Sequence, residues 1–390
     1  MVTSPHIIGW AHTPFGRQPH EDVEALIAAV SSAAVEDAGL DPRDIDAVFV
    51  GVYNNGFSSQ GFEAALVGSA LPELAGVPAT RVENACATGS AAIFGALDRI
   101  EAGRARAVLV VGAEKMTAIA TPEVNRILLS GLHRRTEESV GSFAGVFAGL
   151  ADRYADRYGD PHDGMAMIAA KNHRNGVDNP WAHMRKDLGF DFCATESERN
   201  PRVAGRLLRT DCSLVSDGAA AMVITDADMA RTARRAVAVR GRAHVNDHLA
   251  VAARPDPLAF QGASKAFRFA LEEASATLHD LDLLETHDCF TIAELLQYEA
   301  FGIAEPGKAA EVLASGATHR DGWLPVNVSG GLKSKGHPLG ATGVSQHVMA
   351  AMQLVGEAGA MQLATADRAA VFNMGGAAVA NYATVLESVR

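Results

Sequence analysis

Apolar positions along the chain follow two rhythms, a helical one near 3.6 residues and short continuous runs, and they alternate. E24-A-L-I-A-A-V-S-S-A-A-V-E-D-A-G carries helical spacing, with Gly39 as its stop. The run A47-V-F-V-G-V then predicts a buried strand. Helical spacing returns after Cys86 in S90-A-A-I-F-G-A-L-D-R-I, and R106-A-V-L-V-V-G-A predicts the next strand. This alternation is that of an α/β fold.

The second part of the chain repeats the grammar. F267-R-F-A-L-E-E-A-S-A-T-L predicts a helix, D280-L-D leads into the strand L283-L-E-T, and A341-T-G opens a helix that continues through V344-S-Q-H-V-M-A-A-M-Q-L. The strand A369-A-V-F-N-M-G-G then matches A107-V-L-V-V-G-A. Helix, D-x-D, strand, loop, A-T-G, helix, strand therefore occurs twice, as expected of a duplicated pair of halves. Residues 116–205 lose the regularity and gather polar clusters such as L132-H-R-R-T-E-E and K171-N-H-R-N-G-V-D-N-P-W, which reads as an insertion. A219-A-A-M-V-I-T is expected to complete the first half's sheet. The expected divisions are 1–115 for the first half, 116–205 for the inserted loop domain, 206–235 for completion of the first half, and 236–390 for the second.

Composition changes this picture little. A chain of 390 residues with 48% apolar and 21% charged side chains is that of a folded protein of more than one domain. Its 34 basic and 46 acidic residues leave a net charge of −12, which argues against a nucleic-acid partner. No segment reaches the roughly 18 apolar residues a membrane span needs. The first residues lack the pattern of a signal peptide, so a cytoplasmic location is expected. The four cysteines, Cys86, Cys193, Cys212 and Cys289, show no C-x-x-C spacing, and neither a disulfide framework nor a metal site is expected.

Four loops carry candidate chemistry. In E83-N-A-C-A-T-G-S, Cys86 immediately precedes a helix, whose N-terminus would favour a thiolate and could hold an anionic oxygen on backbone N–H groups. It reads either as a nucleophile or as a structural thiol beside small-residue packing. In V326-N-V-S-G-G-L-K-S-K-G-H-P-L-G-A-T-G, glycines allow backbone to approach a ligand, and His337 is placed to take a proton from a nucleophile; a phosphate loop is the other reading, although the spacing is not the Walker form. The third loop is H287-D-C-F and the fourth N373-M-G-G, both at strand ends, where ligands of α/β folds gather. Asp288 reads as an orienting residue. His12, His133, His162, His173 and His347 read as surface or packing histidines.

At these residues the chain resembles the thiolase superfamily, in particular the sterol-carrier-protein-type thiolases. N-A-C-A-T-G-S resembles their nucleophile motif, H-D-C-F their second and G-H-P-L-G-A-T-G their third, and the likeness includes G141-S-F-A-G-V-F-A-G, K171-N-H and S216-D-G-A-A-A. The resemblance implies two duplicated halves in a five-layered α-β-α-β-α sandwich with an inserted loop domain. It implies that Cys86 accepts the acyl group and that His337 activates it. His287 and His337 would form one oxyanion hole, and the N–H groups of Cys86 and Gly376 the other. Many thiolases carry a second cysteine near the C-terminus, where this chain has V371-F-N-M-G-G; the resemblance then gives Cys289 the acid/base role.

The implied activity is thiolysis of a 3-oxoacyl-CoA by CoA, or the reverse Claisen condensation. Coenzyme A would be substrate and product, no cofactor would be tightly bound, and a homodimer or tetramer is implied. Two other readings stand beside it. One is an acyltransferase to a non-CoA acceptor or a ketosynthase-like condensing enzyme, which has no need of Cys289. The other is a non-catalytic or aldolase-type partner subunit in lipid degradation, which would tend to lack the nucleophile.

Overall fold

The repeat in the sequence is a repeat of strand order. The computed structural model describes residues 4–389. Its first half runs β1 (His6–His12), α1 (Val23–Asp37), β2 (Ala47–Gly51), α2 (Glu63–Ala70), β3 (Ala79–Val82), α3 (Thr88–Glu101) and β4 (Ala107–Glu114). Next come α4 (Thr121–Leu129), α5 (Arg134–Glu137), α6 (Phe143–Tyr158), α7 (His162–Gly176), α8 (Phe190–Ala194) and the short pair β5 (Arg202–Ala204) and β6 (Leu207–Leu208). β7 (Gly218–Thr225) and α9 (Ala227–Ala230) precede the second half. That half runs β8 (Val237–Asn246), α10 (Gln261–Glu273), β9 (Leu283–Glu285), α11 (Thr291–Ala300), α12 (Ala309–Ala314), α13 (Gly331–Lys335), α14 (Leu339–Leu354), β10 (Arg368–Gly375) and β11 (Ala380–Ser388).

Nine strands form one ladder in the order β3-β2-β4-β7-β1-β8-β11-β10-β9. From β3 inward, the first half pairs parallel, parallel, antiparallel, antiparallel. From the outside inward, the second half does the same: Val326 bridges Leu284 in parallel, β9 pairs β10 in parallel, and β11 is antiparallel to both β10 and β8. The halves meet where β1 pairs β8 through His6–Ala238 and Ile7–Val237.

Three cores separate the layers. Alternate residues of a strand face opposite sides, so Leu109 and Val111 of β4 pack with α1 and α2, while Val108 and Val110 pack with α3 and α14. In β10, Ala369 and Val371 join that same central core, and Ala370, Phe372 and Met374 turn to α10 and α11. Helices, sheet, α3 with α14, sheet, helices: this is the five-layered α/β sandwich that the motif resemblance implies. Among the described residues no helix is long and apolar enough to cross a membrane.

The repeated motifs acquire physical meaning here. In each D-x-D the first aspartate closes a capping box, Asp41–Asp44 in one half and Thr277–Asp280 in the other. The second aspartate accepts the N–H groups that open the long strand: Asp46 from Arg106 and Ala107, Asp282 from Asp367 and Arg368. In each A-T-G the glycine lets the two central helices touch. A Cβ on Gly89 would lie 2.8 Å from the Val344 nitrogen, and one on Gly343 would lie 2.4 Å from the Ser90 nitrogen.

Local differences from the sequence pattern have local causes. The helix expected from Phe267 starts at Gln261 and stops at Glu273, because Ser275 takes the left-handed conformation at φ 51°. The helix expected to open at A341-T-G begins at Leu339, directly after Pro338, where proline's missing N–H costs nothing. Residues 116–205 hold five helices.

Candidate active site

The ends of α3, β9 and β10 and the loop before α14 converge. Ala85 is left-handed at φ 51°, and the Asn84 and Ala85 carbonyls accept from the N–H groups of Ala87 and Thr88, both at 3.1 Å. Cys86 therefore stands on a tight turn at the mouth of α3. Its sulfur and one ring nitrogen each from His287 and His337 lie within 4.8 Å of one another. The two imidazoles meet edge to face, with centroids 5.0 Å apart and planes at 84°.

The hydrogen bonds assign the tautomers. The Thr342 hydroxyl donates to the Pro338 carbonyl at 2.9 Å, so its lone pair accepts from His337 Nδ1 at 2.7 Å. His337 Nε2 is then bare, a base. His287 Nδ1 faces the amide nitrogen of Asn373 at 2.9 Å and must accept, so its proton sits on Nε2 as a donor. Both Nε2 atoms are buried and have no hydrogen-bond partner among the described residues. One ring thus has a bare Nε2 and the other a protonated one, and a nitrogen of each ring lies within 4.8 Å of the Cys86 sulfur.

Backbone N–H groups of both Cys86 and Gly376 point at the Cys86 sulfur and act to lower its pKa. Burial is the larger effect and pushes the thiol up to about 12. This corrects the expectation that the helix end alone would favour a thiolate: desolvation outweighs the helix-end field. Burial, aided by the neighbouring Lys335 ammonium, also holds His337 down to about 3. At neutral pH the resting pair is thiol and neutral imidazole.

Cys86, Cys289, His337 and Gly376 line one cavity of about 380 Å³, whose wall includes Leu128 of α4 and Phe143 and Phe147 of α6. His287 does not line it; it is wholly buried behind, held by Gln297, which donates to its carbonyl at 2.7 Å. Cys289 is buried, and desolvation, then the nearby Cys86 and Asp288, push its thiol well up. Asp288 accepts from the N–H groups of Leu332 and Lys333 and from Asn172, and burial raises it to about 7. It is spent on holding the loop. His12, His133, His162, His173 and His347 lie outside the cavity wall.

Several residues of the site were not singled out by the motifs. Asn373 sat inside a quoted motif, but nothing in N-M-G-G says that its amide meets His287. Thr342 lay in A-T-G, and its contact with His337 depends on the turn at Pro338. Lys171 and Asn172 belong to K-N-H; Lys171 pairs with Glu294 at 3.1 Å, and Asn172 donates to both Glu294 and Asp288.

A pH dependence of stability follows from the buried imidazoles. Burial depresses His12, His173 and His337 to about 3 and His347 to about 4. In the unfolded chain they take up protons below about 6.5, so acid favours unfolding and stability falls as pH drops from 6.5 toward 3. Glu114 and Asp288, raised by burial to about 7, pull the other way. The histidines outnumber them, and the urea midpoint is expected to be lower at pH 5 than at pH 7.

Two α/β halves of repeated strand order, stacked in five layers around a cysteine and two imidazoles, define a thiolase-type fold. The family model for the N-terminal domain of thiolase matches residues 6–191, and that for a thiolase C-terminal domain-like unit matches 243–388. The chain belongs to the thiolase family. It is 35% identical to an acetyl-CoA acetyltransferase of Methanothermobacter thermautotrophicus over 95% of this chain and 96% of that one. It is 31% identical to human sterol carrier protein 2, covering 95% of this chain and 69% of that protein. Among solved structures, an Ltp2-ChsH2(DUF35) aldolase superposes with a TM-score of 0.83 at 18% identity over 100% of this chain and 98% of that one. Human mitochondrial 3-ketoacyl-CoA thiolase in complex with CoA gives 0.74 at 19% identity over 100% and 99%.

Proposed function

We propose that the protein is an acyl-CoA C-acyltransferase, cleaving a 3-oxoacyl-CoA with CoA or running the reverse condensation through an acyl group on Cys86. The observation that carries this is the pairing of two imidazoles of opposite tautomer, His337 with a bare Nε2 and His287 with a protonated one, each with a ring nitrogen within 4.8 Å of the Cys86 sulfur. Homology supports it, since the acetyl-CoA acetyltransferase relative is matched over nearly its whole length.

In the cleavage direction His337 takes the Cys86 proton as sulfur bonds to the 3-carbonyl carbon. The resting pair is un-ionised, so proton transfer accompanies attack. The oxyanion formed at that carbon is received by the Cys86 and Gly376 N–H groups. Its collapse breaks the bond between carbons 2 and 3 and leaves an enolate of the departing thioester. The enolate oxygen accepts from His287 Nε2–H and from His337, which now carries the proton it removed. Cys289 supplies a proton to carbon 2. The Cys289 thiolate then takes the proton of the CoA thiol as its sulfur attacks the acyl-cysteine carbonyl, and the Cys86 sulfur departs and recovers its proton from His337, returning an acyl-CoA and the resting thiols. Condensation is the reverse of these steps. CoA is substrate and product, and a homodimer or tetramer in the cytoplasm is part of this reading.

The test is a panel of 3-oxoacyl-CoAs with CoA, read by thioester loss, with mass spectrometry of the trapped enzyme. An adduct on Cys86 is the expected result; an adduct elsewhere, or none with any substrate, sinks the proposal. His287→Ala removes one oxyanion donor and is expected to lower kcat by roughly 10²–10³-fold while leaving acylation of Cys86 detectable.

A further inference from the structure

We propose that Asn373 is a positioning residue that fixes His287 as a hydrogen-bond donor and, by doing so, keeps the cysteine–two-histidine cluster from acting as a metal trap. The effect on rate rests on the acyl-transfer reading above; the tautomer and metal arguments do not.

By residue type and spacing the cluster suits zinc or a similar divalent ion. One sulfur and two ring nitrogens lie within 4.8 Å of one another, and both Nε2 atoms are buried without a partner among the described residues. A histidine binds metal through a bare nitrogen, and its other ring N–H needs an acceptor behind it. His337 meets that condition, since Nδ1 donates to Thr342 at 2.7 Å. His287 does not.

The orientation of the Asn373 amide is the reason. Its nitrogen is 3.2 Å from the Cys86 carbonyl, a group that can only accept. Its oxygen is 2.9 Å from the Ser90 hydroxyl, which donates to it. Turning the amide over would set oxygen against the Cys86 oxygen, so the NH₂ group is held toward both the Cys86 carbonyl and His287 Nδ1. His287 Nδ1 must then accept, and its one proton must sit on Nε2. A metal at Nε2 would require that proton to move to Nδ1, where it would meet an N–H donor. A second proton on the ring meets the same obstacle. His287 is left as a neutral donor through Nε2, with a ring nitrogen within 4.8 Å of the Cys86 sulfur, and one side chain ties it to the Cys86 backbone.

The experiment has two arms, neither of which needs turnover. Long-range proton–nitrogen correlation of the histidine-labelled wild-type chain, with His287 assigned by loss in His287→Gln, should show a bare Nδ1 and a protonated Nε2 at pH 7. The opposite tautomer, or a doubly protonated ring, overturns the proposal. In Asn373→Asp, a carboxylate stands behind Nδ1 and can accept from it. That variant should develop a thiolate-to-cobalt absorption band on Co²⁺ addition, lost in Asn373→Asp/Cys86→Ala, while wild type stays colourless at the same Co²⁺. Its kcat should fall by roughly 10–10²-fold, as outer-shell changes typically cost. Wild type binding Co²⁺ as tightly, or a folded Asn373→Asp with no band, also overturns it. If the variant does not fold, the wild-type spectrum decides. A Cys86 adduct absent in wild type would count against the acyltransferase reading and leave this inference intact.

Discussion

Cys86→Ala is expected to abolish the acyl-enzyme and to lower turnover by roughly 10⁵–10⁶-fold, the scale on which loss of a nucleophile removes a whole catalytic unit. The sulfur has no substitute within the cavity. Cys212 and Cys289 also line it, but the paired Cys86 and Gly376 N–H groups converge on Cys86. Cys289→Ala supplies the contrast. It should still be acylated by substrate while overall turnover falls, because the proton for carbon 2 is missing and the nucleophile is intact. Mass spectrometry of both variants after incubation with acyl-CoA, beside steady-state rates, separates the two roles. Normal turnover by Cys289→Ala would overturn the acid/base assignment; a stable adduct on Cys86→Ala would overturn the nucleophile.

The second large effect is on stability. Glu294 on α11 is wholly buried and pairs with Lys171 on α7 at 3.1 Å, while accepting from Asn172, Asn327 and the Tyr298 hydroxyl. Glu294→Ala leaves the buried Lys171 ammonium uncompensated, at a cost of about 3–5 kcal/mol. The same network holds Asp288 through Asn172, so the H-D-C-F loop should loosen and activity fall with the urea midpoint. Removing both charges is less costly than removing one. Lys171→Met combined with Glu294→Leu should therefore be more stable than Glu294→Ala, and a double variant as unstable as the single one would show that the pair is not the cause.

Much of the architecture was legible because its signals are local. Val108, Val110 and Leu109 read as a strand buried on both faces because a continuous apolar run has few other uses, and the structure places them between two cores. The doubled D-x-D and A-T-G were visible as spacing. Their reasons were not: Asp46 reaches the start of β4 some 60 residues on, and Gly89 matters because α14 crosses it. Residues 116–205 looked irregular because their helices bury polar side chains such as Lys171, Asn172 and His173 in a network, which disrupts the apolar period.

Residue type and order alone determined the halves, the four loops and the candidates Cys86, His287, Cys289, His337 and Gly376, since motifs encode which chemistry is present. Only the tertiary structure decided how that chemistry is poised. A tautomer depends on which atom stands behind a ring, and Thr342 and Asn373 stand behind the two imidazoles through contacts 5 and 86 residues away. A thiol's acidity depends on the water it loses, which is why burial overrode the helix end at Cys86.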